Sequence, residues 1–179
     1  MQFAKRLDNV ETSAIRELFK LLGKPGIISF AGGFPDSAMF DVAGIEAASR
    51  KALAEEPGAA LQYGATEGYQ PLREQLATFM HAKGASDVEP GQLIVTTGSQ
   101  QALDLLGKTM VGPGDKVIVE GPTFLATIQC FRLYGAEVIS APIDDHGVKV
   151  DELEELIAEH QPKLVYLIPT FGNPSGATL

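Results

Sequence analysis

The sequence predicts an α/β protein on an open, largely parallel sheet, and three observations carry that prediction. Short β-branched or apolar runs at 94–97, 116–119, 138–141 and 164–168 alternate with longer stretches whose apolar residues recur at helical spacing. Glycine and proline punctuate the changes of period, as at Gly112-Pro113-Gly114 and Gly121-Pro122. The 179 residues, 45% hydrophobic, suffice for a real core, so the alternation reads as strand–helix–strand crossovers within a sheet.

The elements follow in order. Residues 13–22 read as a helix with Ile15, Leu18, Leu21 and Leu22 on one face, ended by Pro25-Gly26. Residues 27–30 form a short extended run closed by Gly32-Gly33-Phe34-Pro35. Two adjacent glycines either let a backbone approach a ligand closely or make an ordinary loop. A second helix covers 42–56 and stops at Pro57-Gly58; the stretch 62–69 is a polar loop with two tyrosines, Tyr63 and Tyr69. A third helix covers 71–83, with Pro71 in its first turn and Leu72, Leu76, Phe79 and Met80 facing inward. The run 94–97 reads as a strand broken by Gly98, and the helix after it places Leu103, Leu106 and Met110 on one face. Gly112-Pro113-Gly114-Asp115 has the chemistry of a type II turn. Strand 116–119, helix 124–133, strand 138–141, helix 150–159 and strand 164–168 complete the pattern. In the 150–159 helix the inward residues are Val150, Leu153, Leu156 and Ile157.

The strand–Gly98–helix unit leaves the first amides of a helix pointing outward with the positive end of the macrodipole behind them. It reads either as a seat for a phosphate, with Ser99 adding a hydroxyl, or as a plain turn and cap. Ligands of open α/β sheets lie beyond the carboxyl ends of the strands. Three strand ends there offer a phosphate cradle (Ser99, Gln100), an aromatic plate (Phe124) and an amide held before a proline (Asn173). Taken singly, Phe124 also fits the core and Asn173-Pro174 a turn; together they suit a flat, phosphorylated heteroaromatic cofactor. The glycine-rich nucleotide motifs are missing from the sequence. The net charge of −9 speaks against a nucleic-acid surface, no apolar run approaches the ~20 residues of a membrane helix, and the start carries no secretion signal. One cysteine, Cys130, rules out a disulfide framework within the chain and suits a reducing compartment, so the expectation is a cytoplasmic protein.

The motifs Thr-Thr-Gly-Ser-Gln-Gln-Ala-Leu-Asp-Leu (96–105), Gln-Tyr-Gly-Ala-Thr-Glu-Gly-Tyr (62–69) and Ile-Pro-Thr-Phe-Gly-Asn-Pro-Ser-Gly (168–176) resemble the class I/II aminotransferases, fold-type I enzymes that use pyridoxal 5′-phosphate. Ser-Phe-Ala-Gly-Gly-Phe-Pro (29–35) and Ser-Ala-Ile-Arg-Glu-Leu (13–18) most resemble the 2-aminoadipate branch, which also supplies effector domains of some transcription regulators. The resemblance implies transfer of an amino group from an amino acid to a 2-oxo acid; a regulatory cofactor-binding domain and a lyase on the same fold are the alternatives. It further implies that Ser99 and Gln100 hold the cofactor phosphate, Phe124 stacks on the pyridine ring and Asn173 donates to its phenolate oxygen. Tyr63 would reach the phosphate of a neighbouring subunit, making a homodimer with shared active sites. Gly33 would meet the substrate α-carboxylate. Ser13 and Arg16 would sit on a lid helix, where Arg16 either clamps a side-chain carboxylate or lies solvated on the surface. On this reading 1–43 form an N-terminal arm and lid, and 44–179 an incomplete large domain. No lysine lies in the family's Ser-x-x-Lys or Ser-x-Ser-Lys context, so the Schiff-base lysine is expected beyond Leu179 and the 179 residues alone are expected to be inactive.

Overall fold

The structure, a computed structural model, describes residues 3–7, 35–85 and 87–179. Two units divide the chain: Thr12–Val95, and Met1–Glu11 with Thr96–Leu179. The expected helix at 13–22 and the run at 27–30 lie outside the described residues.

In the first unit, α1 spans Val42–Glu55 and starts on Asp41, whose carboxylate accepts the Gly44 N–H at 2.9 Å. None of its side chains is buried, and Val42, Ile45 and Leu53 stand exposed. Pro57 does not simply stop this helix: it opens α2, Pro57–Leu61, because its fixed φ and missing N–H suit a first helical turn. Helix α3 spans Gln70–Ala82, with Gln70 preceding the expected Pro71. Its inward face is narrower than the spacing predicts. Ala77 is buried and Leu76 and Met80 are half-buried, but Leu72 and Phe79 are exposed. Among the described residues, the surface opposite includes a 3₁₀ turn at Pro90–Gln92, to which Arg73 Nη1 donates at 3.2 Å through the Pro90 carbonyl.

In the second unit a 3₁₀ turn at Lys5–Leu7 precedes α4, Gly98–Met110. The run 94–97 is extended but pairs with no strand among the described residues; the Val95 N–H instead donates to the Glu67 carbonyl at 2.8 Å. β-branched residues favour extended backbone, yet only a neighbour turns extended backbone into a ladder. The turn at Gly112 behaves as expected, with Gly114 at φ 86° and the Asp115 N–H donated to the Gly112 carbonyl. Then follow β1 (Lys116–Gly121), α5 (Leu125–Leu133), β2 (Glu137–Asp144), β3 (Gly147–Val148), α6 (Val150–His160) and β4 (Leu164–Tyr166). The sheet order is β3-β2-β1-β4. Strand β1 runs parallel to both neighbours, with Val117 opposite Val138 on one side and Leu164 on the other, while the short β3 is antiparallel to β2. Being central, β1 is apolar without alternation: Val117, Ile118 and Val119 are all fully buried. Val117 and Val119 cluster with Leu103, Cys130 and Phe131 of α4 and α5. Ile118 clusters with Ala141, Val148 and Leu153 of α6. The sheet is thus covered by helices on both faces. Leu106, Met110, Val150 and Ile157, expected inward, are exposed at the margins of these layers.

Candidate functional site

Helix α4 opens at Gly98 with φ 75°, a conformation that favours glycine. Its N-cap, Thr97, supplies no side-chain cap. The Thr97 N–H is taken by Gln101 Oε1 at 2.5 Å, and the Gly98 N–H by the Thr96 carbonyl at 2.9 Å. The exposed Ser99 and Gln100 amides are left with no protein acceptor among the described residues. Two free amides and a hydroxyl at the positive end of a 13-residue helix form a donor set that fits phosphate oxygens. The overall charge of −9 opposes an anion, so these local donors must outweigh the general field.

Phe124 is the N-cap of α5, half-buried, and its carbonyl accepts the Thr127 N–H at 3.0 Å. On either side of it, Thr123 and Thr127 bury hydroxyls with no hydrogen-bond partner among the described residues. Asn173 is exposed, between the buried Gly172 and Pro174. Its loop closes on itself: the Gly172 N–H donates to the Ala177 carbonyl at 2.8 Å, the Leu179 N–H to the Pro169 carbonyl at 2.9 Å, and the Phe171 N–H to Thr178 Oγ1 at 3.1 Å. A Cβ on Gly172 would stand 2.9 Å from Ser175 Oγ, so a side chain before Asn173 would require the Ser175 hydroxyl to turn away. Because β1 and β4 are adjacent and parallel, Phe124 and Asn173 follow neighbouring strand ends.

The sequence reading missed two features of this region. Glu120, only 6% exposed, lies at the end of β1 and accepts the Ile168 N–H at 2.9 Å. A carboxylate directly following the apolar run Val117–Val119 was the available signal. The second is the tie between α4 and α5, where Tyr134 Oη donates to Asp104 Oδ1 at 2.6 Å over the buried Gly107. That hydrogen bond holds the Asp104 carboxyl below its usual range and pushes the Tyr134 phenol up.

Tyr63 belongs to the other unit and is 98% exposed. Ser13, Arg16 and Gly33 lie outside the described residues. A surface cavity of about 420 Å3 is lined by Pro122, Asp144, Asp145 and the 175–177 turn. Its two carboxylates make it a poor anion site, and none of the expected site residues lines it. Among the described residues no group of three His, Cys, Asp or Glu could hold a metal, and no helix is long and apolar enough to cross a membrane.

Residues 26–179 match the family model for aminotransferase class I and II. The 2-aminoadipate transaminase of Thermus thermophilus is 42% identical over 97% of this chain and 42% of its own length. Aromatic-amino-acid aminotransferase 1 of Thermococcus litoralis is 41% identical over 99% of this chain and 44% of its own. Among solved structures, LysN, the α-aminoadipate aminotransferase of Thermus thermophilus complexed with N-(5′-phosphopyridoxyl)-L-leucine, superposes with a TM-score of 0.83 at 40% identity, over 98% of this chain and 42% of that one. The chain therefore spans less than half the length of the relatives it matches. With the motif residues on a helix start and two adjacent strand ends, and with the family model covering all but the first 25 residues, the chain belongs to the class I and II aminotransferases.

Proposed function

We propose that the chain is the cofactor-phosphate half of a pyridoxal-phosphate-dependent aminotransferase acting on amino acids and 2-oxo acids, with 2-aminoadipate and glutamate among its substrates. The observation that carries the reading is the uncapped start of α4, whose Ser99 and Gln100 amides have no protein acceptor among the described residues. In this role the two amides and the Ser99 hydroxyl grip the phosphate, and the positive end of the helix offsets its charge. Phe124 presents a ring from the end of β1, and Asn173 a carboxamide N–H from a loop that its own hydrogen bonds hold closed. When bound, the cofactor supplies the electron sink that makes an amino acid's α-proton removable. Gly33 and the lid residues Ser13 and Arg16 are assigned to the substrate. Residues 1–43 are read as arm and lid, and 44–179 as the large-domain portion. The reading takes the protein as a cytoplasmic homodimer; the fully exposed Tyr63 and the exposed apolar residues of α1 support a second subunit there.

The test is spectroscopic. The full chain should bind pyridoxal phosphate with a visible absorbance band that changes on adding an amino acid. Ser99→Ala should weaken cofactor binding about tenfold, the worth of one hydrogen bond to a charged group. Asn173→Ala should move the band. A full chain that binds the cofactor with no effect of either substitution removes both residues from the site.

A further inference from the structure

We propose that Glu120 is a positioning residue of the cofactor site: its carboxylate holds the Ile168 amide and thereby fixes the Asn173 loop beside the strand end that carries Phe124. The proposal rests on the cofactor reading above. The β1–β4 ladder ends at Val119 opposite Tyr166. Beyond that pair β4 leaves the sheet, and the Ile168 N–H, two residues on, has lost its ladder carbonyl. Glu120 supplies the missing acceptor from its side chain at 2.9 Å. An ordinary strand residue there would leave a half-buried amide unpaired, at the cost of its desolvation.

The residue type carries information as well. A carboxylate only 6% exposed is expensive unless it is hydrogen-bonded, and the neighbouring strand positions are all apolar. A stretch that needed only packing would keep the apolar pattern of Val117–Val119. What the carboxylate adds is a fixed attachment point. Among the described residues the other hydrogen bonds of 169–179 run within the loop, as from Gly172 to Ala177, Phe171 to Thr178 and Leu179 to Pro169. The loop is therefore internally closed, and the Glu120–Ile168 bond ties its first turn to the central strand. One residue after Glu120, Gly121 leads into the Pro122-Thr123-Phe124 turn. A single side chain thus sits at the root of both arms.

The experiment uses the full chain, with pyridoxal phosphate as the probe and three variants. Glu120→Met removes the acceptor at similar length. Glu120→Asp keeps the charge but falls about 1.5 Å short, out of hydrogen-bonding range of the amide. Glu120→Gln keeps an acceptor oxygen in place. Met and Asp should each weaken cofactor binding about tenfold and move the visible band in the same sense as Asn173→Ala, while Gln should restore both to near wild type. In an Asn173→Ala background the Met substitution should add less than twofold, because the group it positions is gone. Should Glu120→Met prove insoluble, Glu120→Asp decides. If wild type binds the cofactor and Met and Asp lower only thermal stability, or if their effects persist undiminished in Asn173→Ala, the positioning role is overturned and the cofactor reading stands. Wild type that fails to bind the cofactor overturns the cofactor reading itself.

Discussion

Gly107→Ala should destabilise the chain, although alanine is the better helix former. Gly107 is buried in the last turn of α4, where replacing glycine by alanine gains up to about 1 kcal/mol of helix propensity. The new methyl would stand 2.5 Å from Tyr134 Cδ2 and 2.8 Å from Cε2, against an optimum of about 3.5–4 Å. The ring must therefore retreat by roughly 1 Å, and such overpacking costs about 1–3 kcal/mol. Its hydroxyl is 2.6 Å from Asp104 Oδ1, and a 1 Å retreat carries it beyond hydrogen-bonding range. The clash exceeds the propensity gain, and the net loss is expected to be about 1–2 kcal/mol. Urea unfolding followed by circular dichroism reads this as a lower midpoint at unchanged slope. The decisive comparison is the Tyr134→Ala background. With the ring removed, Gly107→Ala should become stabilising, by up to about 1 kcal/mol. The same sign in both backgrounds would refute the packing argument.

Three further outcomes are expected. Phe131→Ala, which empties a site only 1% exposed between α5 and β1, should cost about 3–5 kcal/mol in urea unfolding, and Phe131→Leu under about 1.5. Lys163 Nζ and the Gly112 N–H both donate to Asp115, at 2.9 and 2.8 Å, and hold its carboxyl below the usual 3.8. Its contribution is therefore full above the unfolded value and is lost as pH falls through the folded one. Asp115→Asn should be less stable than wild type near neutrality, with the two curves converging as pH falls below the unfolded value of 3.8 and through the lower folded one; parallel curves would remove the pair from the acid response. If the proposed function holds, Arg16→Ala in the whole protein should lower kcat/KM for 2-aminoadipate and glutamate by about 1.5–3 kcal/mol in transition-state binding and leave leucine nearly unchanged; equal losses for all three make Arg16 structural.

The sheet was legible where apolar runs coincide with full burial. Val117–Val119 lie where period and punctuation place them, because a central parallel strand has no solvent face to dilute its pattern, whereas the edge strand β4 is only partly buried and stops at Tyr166 rather than at 168. The run at 94–97 is extended but joins no ladder among the described residues, because β-branching reports extended backbone whereas a ladder also needs a neighbouring strand. Helix faces were over-read for a related reason. Spacing finds the apolar side of α3, α4 and α6 but not the width of the surface that covers it, so Leu72, Phe79, Leu106 and Val150 emerge exposed. At the site, Ser99, Gln100, Phe124 and Asn173 were named from motif and strand-end position, and their roles still await the spectroscopic test. Glu120 was passed over because a charged residue in a strand reads as a strand end. Only the 2.9 Å bond to Ile168, 48 residues away, shows what it holds.

Cys130 is the single cysteine of these 179 residues, 5% exposed, and burial pushes its thiol up from the ordinary range. Thiol reagents attack the thiolate of an accessible side chain, and here both conditions fail while α4 and α5 cover the sheet. The labelling rate of Cys130 is then the opening rate or opening equilibrium of that one layer, read without an introduced probe. Comparing that rate with and without pyridoxal phosphate would show, independently of any absorbance band, whether filling the site at the start of α4 steadies the layer behind it.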